Sequence, residues 1–171
     1  SIFKKATLIM QIGFSSFVLD GGKSGIATYV IQLLKHLQQV DDRNRYDIFV
    51  TQRDTHLISI ENPHFHALQY PNLVGNPILN VGWHQFILPL LAKSRGYQLV
   101  HIPTIRRLPY FKGCKVIATV HDLAPFIIPK KYDPLRQFYH RRILTRCVNR
   151  CDHIIAISQS TKNDLVNWME Y

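Results

Sequence analysis

His121 and Asp122 stand side by side in TVHDLAPFIIP (119–129), directly behind KVIATV, a run of strand-forming residues. An imidazole can give or take a proton near neutral pH, and a carboxylate can take one or hold a loop. Parallel sheets bind ligands beyond the carboxyl ends of their strands, so the position suits chemistry. Prolines at 125, 129 and 134 stiffen the segment behind the pair. A structural role fits the same residues. An Asp after a strand turns the chain, and a His can satisfy a nearby backbone group.

A second candidate is DGGKSGIATY (20–29), glycine-rich and followed by a helical pattern. Backbone N–H groups of Gly21, Gly22, Ser24 and Gly25 could face an anion at the start of a helix, where the dipole favours phosphate. The stretch is not a GxxxxGK[ST] loop, because the first glycine would fall at Phe17. It is not GxGxxG either, since the glycines fall at 21, 22 and 25. A flexible turn that caps the helix is the competing reading.

Loop cations form the third group. Arg106 and Arg107 lie in IPTIRRLPYF, just past another strand, and Lys130 and Lys131 follow the His-Asp segment. Such side chains suit phosphate or carboxylate recognition. Arg142, Arg146 and Arg150 recur every four residues, with Arg136, His140 and Arg141 beside them. That stripe is either a solvated helix face or a surface for an anionic membrane or a phosphate-bearing acceptor.

The elements that position these residues follow from periodicity. Strands are expected at 6–13, 46–51, 65–70, 98–102, 115–120 and 152–158. Helices are expected at 25–40, at 79–96 with a kink at Pro89 and a cap at Gly96, at 134–151 opened by Pro134, and from 159 with Ser158 or Ser160 as cap. Strands apolar on both faces that alternate with amphipathic helices predict an α/β fold, a Rossmann-like three-layer sandwich on a parallel sheet.

The chain has 171 residues, enough for one domain with a sizeable core. It carries 21 Lys and Arg against 11 Asp and Glu, a formal charge of +10, which points to an anionic partner. No zinc-finger spacing, ribonucleoprotein motif or helix-turn-helix accompanies the charge, so nucleic acid is not expected. No apolar run approaches the about 20 residues of a membrane span, and none reads as a signal peptide. Cys114, Cys147 and Cys151 are too few for a disulfide framework and fit a reducing compartment. They read as buried thiols, and no metal site is expected.

SGIATYVIQLLKHL, WHQFILPLL, QLVHIP, KVIATVHDLAPFIIP and CDHIIAISQSTKNDL occur in an order and spacing that resemble the N-terminal half of retaining family 4 glycosyltransferases. The resemblance implies one half of a GT-B fold, with residues 1–171 as the acceptor-side domain and a donor-binding domain outside this chain. It implies transfer of a hexose, with retention, from a UDP- or GDP-hexose to a lipid-linked or polysaccharide acceptor. No tightly bound cofactor is implied. His121 matches the histidine beside the donor sugar, and Asp122 the acid that holds its loop. Gly25, Ile26 and Tyr29 keep the pattern of the glycine loop, whereas Ser24 and Ala27 stand where glycines are common. Ser158 matches a structural serine. Tyr29, Arg106, Arg107 and Lys130 become acceptor-side candidates. The isolated fragment is expected to be inactive, and the whole protein to be cytoplasmic, peripheral at the inner face of the plasma membrane. Two other readings stay open: a Rossmann-type nucleotide-sugar-modifying enzyme, and a basic nucleic-acid-binding module.

Overall fold

The computed structural model describes residues 8–123 and 139–169, with the backbone alone at 139–141 and 168–169. Lys130, Lys131, Arg136 and the prolines at 125, 129 and 134 lie outside the described residues, as do the side chains of His140 and Arg141.

Six strands among these residues form one parallel sheet in the order β3-β2-β1-β4-β5-β6. They are β1 (Gln11–Ser15), β2 (Arg45–Thr51), β3 (Phe65–Tyr70), β4 (Leu99–Ile102), β5 (Lys115–Val120) and β6 (His153–Ala156). The chain grows outward from β1 to β3, then returns to the far side of β1 and grows the other way. The carboxyl ends of β1 and β4 therefore meet where strand order reverses, which is where open sheets form crevices. This is the Rossmann-like architecture that the alternating pattern predicts.

Helices cover both faces. On one face α1 (Gly25–Val40) packs Ala27, Val30 and Leu34 against Ile12, Phe14, Ile48 and Val50. On the other lie α2 (Pro77–Gly82), a π-turn (Trp83–Ile87), α3 (Leu88–Arg95) and α4 (Thr145–Asn149), around Phe49, Trp83, Val100, Ile102, Val116, Ala118, Val120 and Val148. Side-chain alternation settles the faces: Ile48 and Val50 join the α1 core while Phe49 joins the opposite one. A last helix, α5 (Gln159–Met169), starts at Ser158, whose Oγ accepts the Thr161 N–H at 3.1 Å. Ser158, not Ser160, is therefore the cap.

Four elements differ from the sequence expectation. The last strand stops at Ala156, and the described part of the 134–151 helix is a π-turn (Tyr139–Leu144) that leads into α4. The other two are the first strand and the 79–96 helix. The first strand runs over Gln11–Ser15, because its ladder to β2 opens at Gln11↔Arg45, and Leu8 and Ile9 stay exposed. Gly13 does not end it. The Phe49 ring occupies the space of a side chain there, with Cζ 2.9 Å from where a Cβ would stand. The 79–96 helix begins earlier, at Pro77, where Asn76 Oδ1 accepts the Ile78 N–H at 3.0 Å. Its irregularity is the π-turn immediately before Pro89. Proline offers no N–H to the residue four back, Gln85, and the wider turn absorbs that loss. Gly96 closes the helix in the left-handed region at φ 67°.

Candidate functional site

β5 carries His121 out of the sheet on the α1 face, because Val116, Ala118 and Val120 take the opposite face. Three contacts then fix the residue. Nε2–H donates to the Pro103 carbonyl at 3.0 Å, just beyond β4. The ring meets Tyr29 of α1 edge-to-face, centroids 4.9 Å apart at 87°. The His121 carbonyl accepts the Thr161 hydroxyl at 3.3 Å, which ties the loop to the first turn of α5. With Nε2 protonated, a neutral imidazole keeps Nδ1 as its acceptor.

Tyr29 is fixed in turn. Its hydroxyl lies 3.2 Å from Thr119 Oγ1, and that oxygen lies 2.8 Å from His101 Nε2. Thr119 is buried and His101 nearly so. Burial holds His101 neutral, its pKa pushed down to about 4. A chain of polar side chains thus runs from β4 through β5 to α1 beneath the His121 ring.

Above it opens a cavity of about 560 Å³ lined by Gly25, Ile26, Tyr29, His121, Asp122, Ile155 and Ile157. One wall is the start of α1, another the tip of β5. The floor comes from β6 and the residue after it, whose Ile155 and Ile157 remain 36% and 50% exposed. Four sequence candidates, Gly25, Tyr29, His121 and Asp122, are therefore brought together. Ser24 caps α1, accepting the Ala27 N–H at 3.1 Å.

Gly21 and Gly22 turn away from this cavity, toward the end of β2. Both have positive φ, 73° and 78°, and Asp20 before them has φ 38°. Asp54, buried at 1% exposure, clamps the turn from below. Its Oδ1 accepts the Gly21 N–H at 2.9 Å, and its Oδ2 accepts the Thr51 hydroxyl at 2.8 Å. Arg53 reaches over the outside to Asp20 Oδ1 at 2.8 Å. Sequence reasoning did not select Asp54. The available signal was an acid inside VTQRDTHLI, just past a strand that is apolar on both faces.

Arg106 and Arg107 sit in a short turn after β4 but do not line the cavity. Arg106 is exposed, and Arg107 Nη1 donates to the Pro77 carbonyl at 3.3 Å, over the start of α2. Below it, at the β1–β4 crevice, Ser15 donates to His84 Nε2 at 2.8 Å, and His84 Nδ1–H donates to the Asn80 carbonyl at 2.8 Å. Burial pushes His84 down to about 3, so it stays neutral. Ser15 and His84 are 1% and 0% exposed, which makes them an internal brace rather than a nucleophile and base open to substrate.

Among the described residues no three His, Cys, Asp or Glu side chains gather as metal ligands. Burial raises the thiols, Cys114 and Cys147 to about 11 and Cys151 to about 12, so none is a ready thiolate. No helix of the described residues is long and apolar enough to cross a membrane.

Comparison with known proteins bears on the family and the fold. The profile of the family described as Glycosyltransferase Family 4 matches residues 23–170. The chain is 26% identical over 155 residues to the O-antigen chain mannosyltransferase RfbU of Salmonella typhimurium, a match covering 84% of this chain and 41% of that protein. Its fold is similar to the crystal structure of Arabidopsis thaliana UGT89C1 complexed with UDP, with TM-score 0.57, 11% identity, 95% of this chain and 46% of that chain. The chain thus spans less than half the length of each.

Proposed function

The chain belongs to glycosyltransferase family 4, and on that premise we propose that it is the acceptor-side half of a retaining hexosyltransferase. A donor-binding domain of the same polypeptide would face it across a cleft, as in a GT-B enzyme. The donor is a nucleotide sugar, a UDP- or GDP-hexose, and the acceptor a lipid-linked or polysaccharide glycan. The mannosyltransferase relative supports a hexose, and its O-antigen product supports a growing polysaccharide.

The observation that carries this reading is the immobilised His121 at the mouth of a cavity whose opposite wall is the start of α1. Transfer with retention breaks the bond from the anomeric carbon to the diphosphate oxygen. An acceptor hydroxyl forms the new bond on the same face, and its proton passes to the departing diphosphate. The protein's task is to position the reactants and stabilise charge. His121, with Nε2–H committed to Pro103, offers Nδ1 to a sugar hydroxyl. The first amides of α1, at Gly25 and Ile26, suit the departing phosphate. Asp122, at the same mouth, holds the loop.

The test is His121→Ala in the full-length polypeptide, assayed with a panel of UDP- and GDP-hexoses on membranes carrying lipid-linked glycan. Turnover should fall about a hundredfold or more with little change in melting temperature. Near-normal turnover would remove His121 from the site. The absence of transfer from every nucleotide hexose by the unaltered protein would defeat the hexosyltransferase reading itself.

A further inference from the structure

His101 is a buried imidazole that the proposed reaction does not use. It lies in β4 on the α1 face, in register with Phe14 of β1 on one side and Ile117 of β5 on the other. Its ring meets Phe14 edge-to-face, centroids 4.9 Å apart at 72°. An aliphatic side chain would pack in that row without penalty. An imidazole there gives up its hydration and is held neutral. A neutral hydrogen bond returns little net stability in exchange. The imidazole is better accounted for by what it touches.

Its Nε2 lies 2.8 Å from Thr119 Oγ1, and the same oxygen lies 3.2 Å from the Tyr29 hydroxyl. Tyr29 in turn meets the His121 ring edge-to-face at 4.9 Å. Two residues beyond His101 in the chain, the Pro103 carbonyl accepts Nε2–H of His121 at 3.0 Å. The end of β4 therefore grips His121 twice. Pro103 holds one ring nitrogen directly. His101 holds the ring's tilt, by way of Thr119 and Tyr29. A ring fixed by one hydrogen bond alone can pivot about it, so aiming Nδ1 into the cavity requires the second contact as well.

We infer that His101 is a positioning residue for His121: it holds Thr119, Thr119 holds Tyr29, and Tyr29 sets the tilt of the His121 ring. The inference rests on the proposed role of His121, so the experiment includes an arm that needs no transferase activity. The full-length polypeptide is isotope-labelled at histidine Cε1, and the His121 resonance is assigned by its loss in His121→Ala. His101→Phe keeps a flat ring and removes the bond to Thr119. It should shift or broaden the His121 resonance and lower kcat about tenfold, at unchanged KM for the nucleotide sugar. His101→Gln should restore most of both, because its amide can offer an N–H or a carbonyl to Thr119, whichever tautomer the imidazole holds. Thr119→Val cuts the same chain one link nearer and carries the test if His101→Phe fails to fold. Combined, the two substitutions should cost no more than either alone. A residue that merely fills the core would lower the melting temperature yet leave the His121 resonance and the kcat of folded enzyme unchanged. That result overturns the inference, as do losses that multiply in the double variant. If the His121 resonance moves while His121→Ala keeps wild-type turnover, the positioning stands and the proposed role of His121 fails.

Discussion

Replacing Asp54 by Ala tests whether the glycine turn is set by its own sequence or by the carboxylate beneath it. The substitution removes two hydrogen bonds at once, from the Gly21 N–H at 2.9 Å and from the Thr51 hydroxyl at 2.8 Å. The partners differ in what they lose. Thr51 is 1% exposed, so its hydroxyl is left buried and unpaired, at a cost of about 1–3 kcal/mol. Gly21 is exposed, and water can replace the lost acceptor there. The Arg53 contact with Asp54, at 3.4 Å from a half-exposed guanidinium, adds little. Asp54→Ala should therefore destabilise by about 2 kcal/mol.

Asp54→Asn should cost less than about 1 kcal/mol. Its carbonyl can still accept from Gly21, and its amide can donate to Thr51. In hydrogen exchange, peptides covering 16–26 should open in the alanine variant and stay protected in the asparagine one. Turnover should follow the same order, with a loss of about tenfold for alanine, equivalent to 1.4 kcal/mol of lost positioning. Unchanged exchange in those peptides would refute the idea that Asp54 sets the turn. An asparagine variant as damaged as the alanine one would assign the effect to charge instead of bonding.

Gly13→Ala puts a methyl group 2.9 Å from Phe49 Cζ, and should destabilise by about 1–3 kcal/mol in urea unfolding, largely relieved by Phe49→Leu. Tyr29→Phe keeps the ring against His121 but removes the link to Thr119, so it should cost turnover far less than Tyr29→Ala, read as kcat at saturating donor. His84 is neutral when folded, with its pKa near 3 against 6.5 unfolded, so folding excludes a proton and stability is lost as pH falls below 6.5. Between pH 7 and 5 that loss is about 2 kcal/mol, buried His101 adds a similar one, and His84→Gln should remove about half of the combined slope.

The sequence carries much of this architecture for a physical reason. Buried parallel strands must be apolar on both faces, so YDIFVT and KVIATV declare themselves, and the structure places β2 and β5 on those residues or within one of them. α1 shows its 3.6-residue period and its serine cap. His121 is visible because it breaks an apolar run at the point where such sheets hold ligands. What escapes is whatever depends on partners distant in sequence. Ser15 and His84 are 69 residues apart, and Gly21 and Asp54 are 33 apart. No local pattern marks either pair. The arginine pair at 106–107 lies off the cavity for a related reason: position after a strand says which edge a residue occupies but not which way its turn leans.

Those distant pairs share a location that explains why the fold keeps them. Ser15, Thr51, His101 and Thr119 lie at or near the carboxyl ends of β1, β2, β4 and β5, all buried, and each bonds a side chain from another element. A buried polar group without a partner costs several times what a satisfied bond returns. Each of these side chains therefore locks one surface element to the sheet: Ser15 the α2 region, Thr51 and Asp54 the glycine turn, and Thr119 the tyrosine of α1. An apolar belt would pack as well but would leave register among these elements to shape alone. The polar belt makes the positions of α1 and the glycine turn discrete, because sliding either one breaks a bond to a buried threonine, Thr119 beneath Tyr29 or Thr51 beneath the turn. The tip of β5 inherits that rigidity through Tyr29, so His121 is held by the sheet beneath it as well as by Pro103 and Thr161.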